Sequence, residues 1–276
     1  IPLAQPKIKL SILGLVSSRF GAAQRVGNEG REPWIIAHHR QVWLVEQAAF
    51  DHDRTRVLAF DIATRKLVFE HWFAKGDAQF AQDLRVSPEG GTVYLADTGF
   101  YPIRPASLIV LDVASKSYRS LMQTEAAAQP QDWVIQTRFG QYRFAYGLVR
   151  VAVGLDGIAL DRDGTWLYFG AMSHDTMCRV STAAVHGKIE RVGRKPLSDG
   201  IAMDTAGNLL ITDIEHGAIV RMGSDGALRT VAKSEKVIWA DGLAIEPDGS
   251  ILLTDSALPA YMDPLGRPPA LEKLRA

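Results

Sequence analysis

A β-propeller is the fold this sequence predicts, and three observations carry the prediction. A unit of short strand pairs recurs at spacings of 42 and 43 residues in the second half of the chain. The strands are separated by turns built from Gly, Pro and Asp, as β-hairpins require. No segment sustains the 3.6-residue apolar period of a helix. A four-stranded unit of that length is the signature of a propeller blade. A β-sandwich would leave unexplained why an acid returns at the same place in successive units.

Five units are legible, beginning near residues 33, 80, 155, 198 and 240. The first reads PWIIAHHRQVWLVEQ from Pro33, then RVLAFDIATRKLVFEHW from Arg56. The second opens QDLRVSPEGGTVYLADT from Gln82 and continues LIVLDVASKSYRSL from Leu108. LDGIALDRDGTWLYFGA from Leu155 opens the third, and SDGIAMDTAGNLLITDI from Ser198 opens the fourth. The fourth continues AIVRMGSDGALRTV from Ala218, and the fifth opens ADGLAIEPDGSILLTDS from Ala240. Asp83 and Asp156 are 73 residues apart because a stretch read as an inserted loop, 123–150, intervenes. Residues 1–32 lack a clear hairpin and supply either strands that close the ring or a degenerate sixth blade. The whole chain, 1–276, is read as a single propeller domain.

Composition narrows the partners. With 31 basic and 31 acidic residues, the chain has no net charge to recommend it to nucleic acid or to an anionic membrane. No apolar run approaches the ~20 residues of a membrane-spanning helix. Cys178, the single cysteine, excludes a disulfide framework and reads as a core filler on a strand. The first residue is Ile1 rather than Met, which leaves room for a removed leader. A periplasmic or secreted location is therefore expected over a cytoplasmic one.

The first strand of each blade lines a propeller's channel, so residues at its start converge at one mouth. Asp83, Asp156, Asp199 and Asp241 are read as four such positions. Carboxylates brought together repel and raise one another's pKa. A hard divalent cation would relieve that conflict. The plainer alternative is that Asp before Gly is turn chemistry, the carboxylate capping backbone N–H groups. The later acids Asp97, Asp213 and Asp255 are expected to be structural, closing the turn to the third strand.

The segments GIALDRDGTWLYFGAMSHDTMCRVST, LSDGIAMDTAGNLLITDIEHGAIVRMGSDGALRTV and IWADGLAIEPDGSILLTDS resemble bacterial members of the major royal jelly protein/Yellow family. AQDLRVSPEGGTVYLADTG and SLIVLDVASKSYRSL are similar to the same family's "NDL…ITD…LIVYD" region. That family is related to the regucalcin and gluconolactonase group, six-bladed propellers with a divalent metal in the channel. The resemblance implies six blades here, and it implies site roles. Asp199 falls on the lactonases' Pro-Asp-Gly aspartate, which ligates the metal and acts as base. Asp156 falls on the Asn of their Ser-Asn-Gly motif, a second metal ligand. Gln82 and Asp83 fall on their substrate-contacting Asn-Asp-Gly. Their first-blade glutamate would be Glu29 or Glu32.

Asp241 is added as a substrate contact from its place at the mouth. His174, just past a strand, either faces the mouth or serves a turn. His38, His39 and His216 read as turn residues, and no nucleophile elbow or phosphate loop is present. The aromatic and arginine-rich stretch QDWVIQTRFGQYRFAYG reads as a lid or wall over one propeller face, or as plain packing.

The function expected is hydrolysis of small lactone-like esters. A divalent ion on Asp156 and Asp199, with Ca most expected and Zn, Mg or Mn as alternatives, would polarise the carbonyl for water attack. The alternative is a non-enzymatic, Yellow-like binder of a small polar or amine ligand in the same channel. A protein-interaction propeller has no sequence feature in its favour. A small-molecule partner is expected, with no nucleic acid, no membrane and an undetermined oligomeric state.

Overall fold

The computed structural model describes residues 8–12, 34–49, 53–138, 140–144, 149–246 and 248–261. Their repeats fold into antiparallel sheets taken in chain order. After β1 (Ile8–Ile12), blade 1 comprises β2 (Trp34–His38), β3 (Gln41–Glu46), β4 (Arg56–Asp61) and β5 (Leu67–Trp72). Blade 2 comprises β6 (Ala81–Val86), β7 (Thr92–Asp97), β8 (Ser107–Asp112) and β9 (Tyr118–Leu121). The inserted stretch carries two small hairpins, β10 (Gln136–Thr137) with β11 (Gly140–Gln141), and β12 (Arg143–Phe144) with β13 (Val149–Arg150). Blade 3 comprises β14 (Leu155–Leu160), β15 (Trp166–Ala171), β16 (Thr176–Ser181) and β17 (Glu190–Arg194). Blade 4 comprises β18 (Ile201–Met203), β19 (Leu209–Asp213), β20 (Ala218–Met222) and β21 (Leu228–Lys233). Blade 5 contributes β22 (Ala240–Ile245) and β23 (Ile251–Asp255).

The hairpin chemistry explains the regularity. The turn joining the first two strands of blades 2 to 5 carries Gly90, Gly164, Gly207 or Gly249, each with positive φ. That conformation is strained for any residue with a Cβ.

Packing between blades follows from the two-residue period of a strand. Leu209 and Ile211 of β19 join Ala159, Met177 and Ile201 between blades 3 and 4. Leu210, between them in sequence, points the other way and joins Ile219, Ala240, Ile251 and Leu253 between blades 4 and 5. Because both faces are covered, the second strands read as nearly continuous apolar runs. Tyr94, Leu108, Ile158, Leu167, Phe169 and Cys178 join blades 2 and 3, which makes Cys178 the buried core residue expected. The inner strands β2, β6, β14, β18 and β22 pack in succession on one another. This is a β-propeller.

β1 pairs in parallel with β23, from Ile8 opposite Ile251 to Ile12 opposite Asp255. The last sheet therefore runs β1, β23, β22. The rest of the N-terminal segment, and with it the sixth blade expected there, lies outside the described residues. So do Glu29 and Glu32.

Candidate functional site in the channel mouth

The pairing registers revise which residues are equivalent. In blade 3, Leu155 faces Ala171 and Gly157 faces Gly170, so Asp156 is the extra residue of a bulge. In blade 2, Ala81 faces Asp97 and Asp83 faces Ala96, so the bulged residue is Gln82. Blade 5 is interrupted between Ala240 and Leu243, at Asp241 and Gly242. The matching positions are thus Gln82, Asp156, Asp199 and Asp241, and Asp83 occupies the slot that is glycine in the other three blades. The expected equivalence of Asp83 with the other acids is corrected by one residue. A bulge turns its residue out of the ladder, the usual way to re-aim a side chain.

The glycines after the acids explain how the bulges come together. A Cβ on Gly157 would lie 2.9 Å from the Asp199 carbonyl oxygen, and one on Gly200 would press into the carbonyl of Asp241. Only glycine lets each inner strand lie this close to the next. Asp-Gly here is therefore a packing motif between blades as much as a turn.

The acids form one electrostatic group. Asp156, Asp199 and Asp241 are 4%, 8% and 6% exposed. Burial, then Asp199, Asp241 and Asp83, pushes the Asp156 carboxyl well above the usual range. Asp241 is raised likewise, by burial and then by Asp199. Burial also lifts Asp199, to about 6, although the Trp239 indole opposes it. That indole Nε1–H donates to Asp199 Oδ2 at 2.6 Å. Asp156 accepts no hydrogen bond from any described residue.

Asp83 belongs to the same group but is held differently. Arg85 donates to its Oδ1, and the Ile158 N–H of the neighbouring blade donates to Oδ2 at 3.1 Å. Burial still raises its pKa, with Arg85 the chief opposing influence. Arg85 then crosses to blade 4 and donates to the Ile201 carbonyl at 3.0 Å. Gln82 is half-buried, its amide 3.5 Å from Gln47 Oε1.

His174 lies in the turn after β15. Its Nδ1 accepts the Thr176 N–H at 3.1 Å, and burial followed by Lys195 lowers its pKa. His216 sits in its hairpin turn against Asp213, 2.8 Å away. The later acids are structural as expected. Asp255 accepts from Ile238 N, Trp239 N and Ala257 N at 2.9 to 3.0 Å. Asp97 accepts from Gly99 N at 3.0 Å, and Asp213 from His216 N at 3.1 Å.

Two residues that sequence reasoning missed complete the site. Trp239 is fully buried and orients Asp199. Lys195, 4% exposed, donates from Nζ to Ser198 Oγ at 2.9 Å and to the Pro196 carbonyl at 3.1 Å. Burial lowers its pKa to about 7 against the pull of Asp156, Asp175 and Cys178. A signal for it does exist. Blade 3 is the repeat whose second strand ends Phe-Gly-Ala, where blades 4 and 5 have Thr-Asp.

The inserted stretch covers this end of the channel. Tyr142 packs on Trp239 with ring centroids 5.1 Å apart, in a cluster with Ile135, Val151, Met172, Leu197 and Ile214. The Gln136 N–H anchors it to Glu215 at 2.7 Å. Of the other aromatic residues expected in a lid, Phe139 and Tyr146 lie outside the described residues.

Whether the acids suit a divalent ion is answered by their partners. Asp199 Oδ2 is engaged by Trp239, and both Asp83 oxygens are engaged by Arg85 and backbone N–H groups. Among the described residues, no three His, Cys, Asp or Glu side chains are grouped to hold a metal ion. Asp156 and Asp199, the pair expected as ligands, thus have no third His, Cys, Asp or Glu grouped with them as a metal site among the described residues.

Several solved structures share the fold. The chain is 14% identical to a streptogramin B lyase, with a TM-score of 0.53 over 81% of this chain and 62% of that one. A virginiamycin B lyase from Staphylococcus aureus is 15% identical, with a TM-score of 0.52 over 83% and 79% of the two chains. A chain of a nidogen/laminin complex is 16% identical, with a TM-score of 0.54 over 78% and 70%. The chain thus spans less than two thirds of the streptogramin B lyase. At these identities the likeness extends to the propeller alone. No curated protein sequence matches the chain. The family model described as major royal jelly protein matches residues 45–262.

Proposed function

Because this chain belongs to the major royal jelly protein family, we propose that its channel mouth binds a small ligand carrying a protonated amine. The observation that carries the reading is the buried, unpartnered carboxyl of Asp156 beside Asp199 and Asp241. Four carboxyls, counting Asp83, face two resident cations, Arg85 and Lys195. When all are ionised the mouth is left two negative charges in excess, and an ammonium group with several donors satisfies carboxylates that nothing else does. Trp239 and Tyr142 keep Asp199 in place, so its free oxygen is presented rather than searching for a partner.

Calorimetric titration with phenethylamine, against 2-phenylethanol as the uncharged comparison, tests this. The amine should bind and the alcohol should not. Asp199→Asn should weaken the amine by about tenfold, as loss of one charge-assisted bond implies. Equal binding of both probes would refute it.

A second reading, hydrolysis of lactone-like esters, is favoured by one observation. Asp199 has its pKa near 6, close to that of a general base working at neutral pH. It would activate a water for attack on the ring carbonyl, with protonated Asp156 as the nearby acid. Turnover of a lactone panel that disappears in Asp199→Asn would favour it, and a panel with no turnover would leave binding alone.

A further inference from the structure

We propose that Lys195 is, with Arg85, a resident cation of the channel mouth, its ammonium group taking the role a divalent metal would otherwise fill. The inference deepens the reading above and rests on the same acid cluster.

The lysine is built into the site by a change in one blade. In blade 4, Thr212 Oγ1 receives the N–H groups of Asp199 and Gly200 at 3.1 and 3.0 Å. In blade 5, Thr254 Oγ1 receives the Gly242 N–H at 2.8 Å. Each hydroxyl fastens the stretch of backbone that carries its blade's acid. The corresponding residue of blade 3, facing Gly157, is Gly170. Among the described residues no hydroxyl fastens the Asp156 bulge, and the Lys195 stem lies where a side chain would be. A Cβ on Gly170 would be 2.5 Å from Lys195 Cε and 3.1 Å from Cδ. A side chain at 170 would therefore require the lysine stem to move.

The stem runs inward from the end of β17, and the ammonium is fixed by Ser198 Oγ and the Pro196 carbonyl. Those two bonds use two of its three N–H donors. Ser198 directly precedes Asp199, so the cation is tied to the segment that begins the inner strand of blade 4. Asp156 and Lys195 each favour the other's charged form. A buried ammonium repels an incoming divalent ion, and Trp239 and Arg85 already engage oxygens of Asp199 and Asp83. With Arg85 engaged by Asp83, Lys195 adds one positive charge against Asp156, Asp199 and Asp241, fewer than would balance them without an amine ligand.

The test is calorimetry with CaCl2 on metal-stripped protein. The wild type should show no binding tighter than about 1 mM, the weak end of protein calcium sites. Lys195→Met keeps the stem and removes the charge, and it should bind Ca2+ at least about tenfold more tightly than the wild type. Lys195→Arg keeps the charge and should stay as weak as the wild type. Wild-type binding tighter than about 1 mM overturns the proposal, as does an unchanged affinity in Lys195→Met. If Lys195→Met does not fold, Lys195→Gln takes its place with the same expected gain and the same refuting result. The two readings fail separately: absent amine binding removes the ligand and leaves Lys195 its role, whereas tight wild-type Ca2+ binding does the reverse.

Discussion

Replacing Asp199 by asparagine should make the protein more stable at neutral pH. Asn is nearly isosteric, and its amide oxygen can keep the Trp239 indole bond. In the folded chain Asp199 has its pKa raised from 3.8 to about 6. The folded state therefore holds a proton that the unfolded chain has already released between those values. Stability falls as pH rises through this window, and the full cost applies above the folded pKa. About two pH units at 1.36 kcal/mol each amount to about 3 kcal/mol. Neighbouring carboxyls that take up the proton instead would reduce this. Urea unfolding of both proteins between pH 4 and pH 8 measures it. The two should be alike near pH 4, and Asp199→Asn should gain as pH rises, reaching up to about 3 kcal/mol by pH 7.5. A variant less stable at pH 7.5, or a difference independent of pH, would show that Asp199 is not held at the expense of stability.

Two further outcomes follow from the same geometry. Gly200→Ala should cost about 1–3 kcal/mol, because the new methyl meets the Asp241 carbonyl of the next blade. Denaturant titration checks it, and a neutral effect would mean that blades 4 and 5 are not in the close contact described. Arg85→Met should cost about 3 kcal/mol by leaving Asp83 without its cation and by freeing the Ile201 carbonyl. Its unfolding midpoint should recover when Asp83→Asn is added, and no recovery would mean the pair is not coupled.

Much of the architecture was legible because a blade is local. Strand, Gly turn and strand sit within some 17 residues, as in the stretch from Ser198 to Ile214, so period and turn chemistry reveal them. Asp199 and Asp241 were legible for the same reason. What escaped depends on register and on side chains arriving from elsewhere. Asp83 was matched to Asp156 because both are acids, whereas the bulge makes Gln82 the counterpart. Lys195 belongs to no repeat, and its meaning lies in a threonine missing at 170 on another strand. Trp239 escaped because nothing in IWADG says that its indole turns back to an aspartate 40 residues earlier. That Asp255 caps three backbone N–H groups while Asp156 caps none among the described residues is visible only once the strands are paired.

The pairing of β1 with β23 has a consequence for how the chain reaches this state. Ile8 must find Ile251 across 243 residues of chain. Each blade forms from contacts within a few tens of residues, but this ladder waits for all of them. Loop-closure entropy makes such a contact slow to form rather than weak once made. Formation of this ladder should therefore be the last kinetic event of folding, and its reversal the first opening on the way to unfolding. Amide exchange along Ile251–Asp255 would then run ahead of exchange in β19, although both strands lie in the same ring.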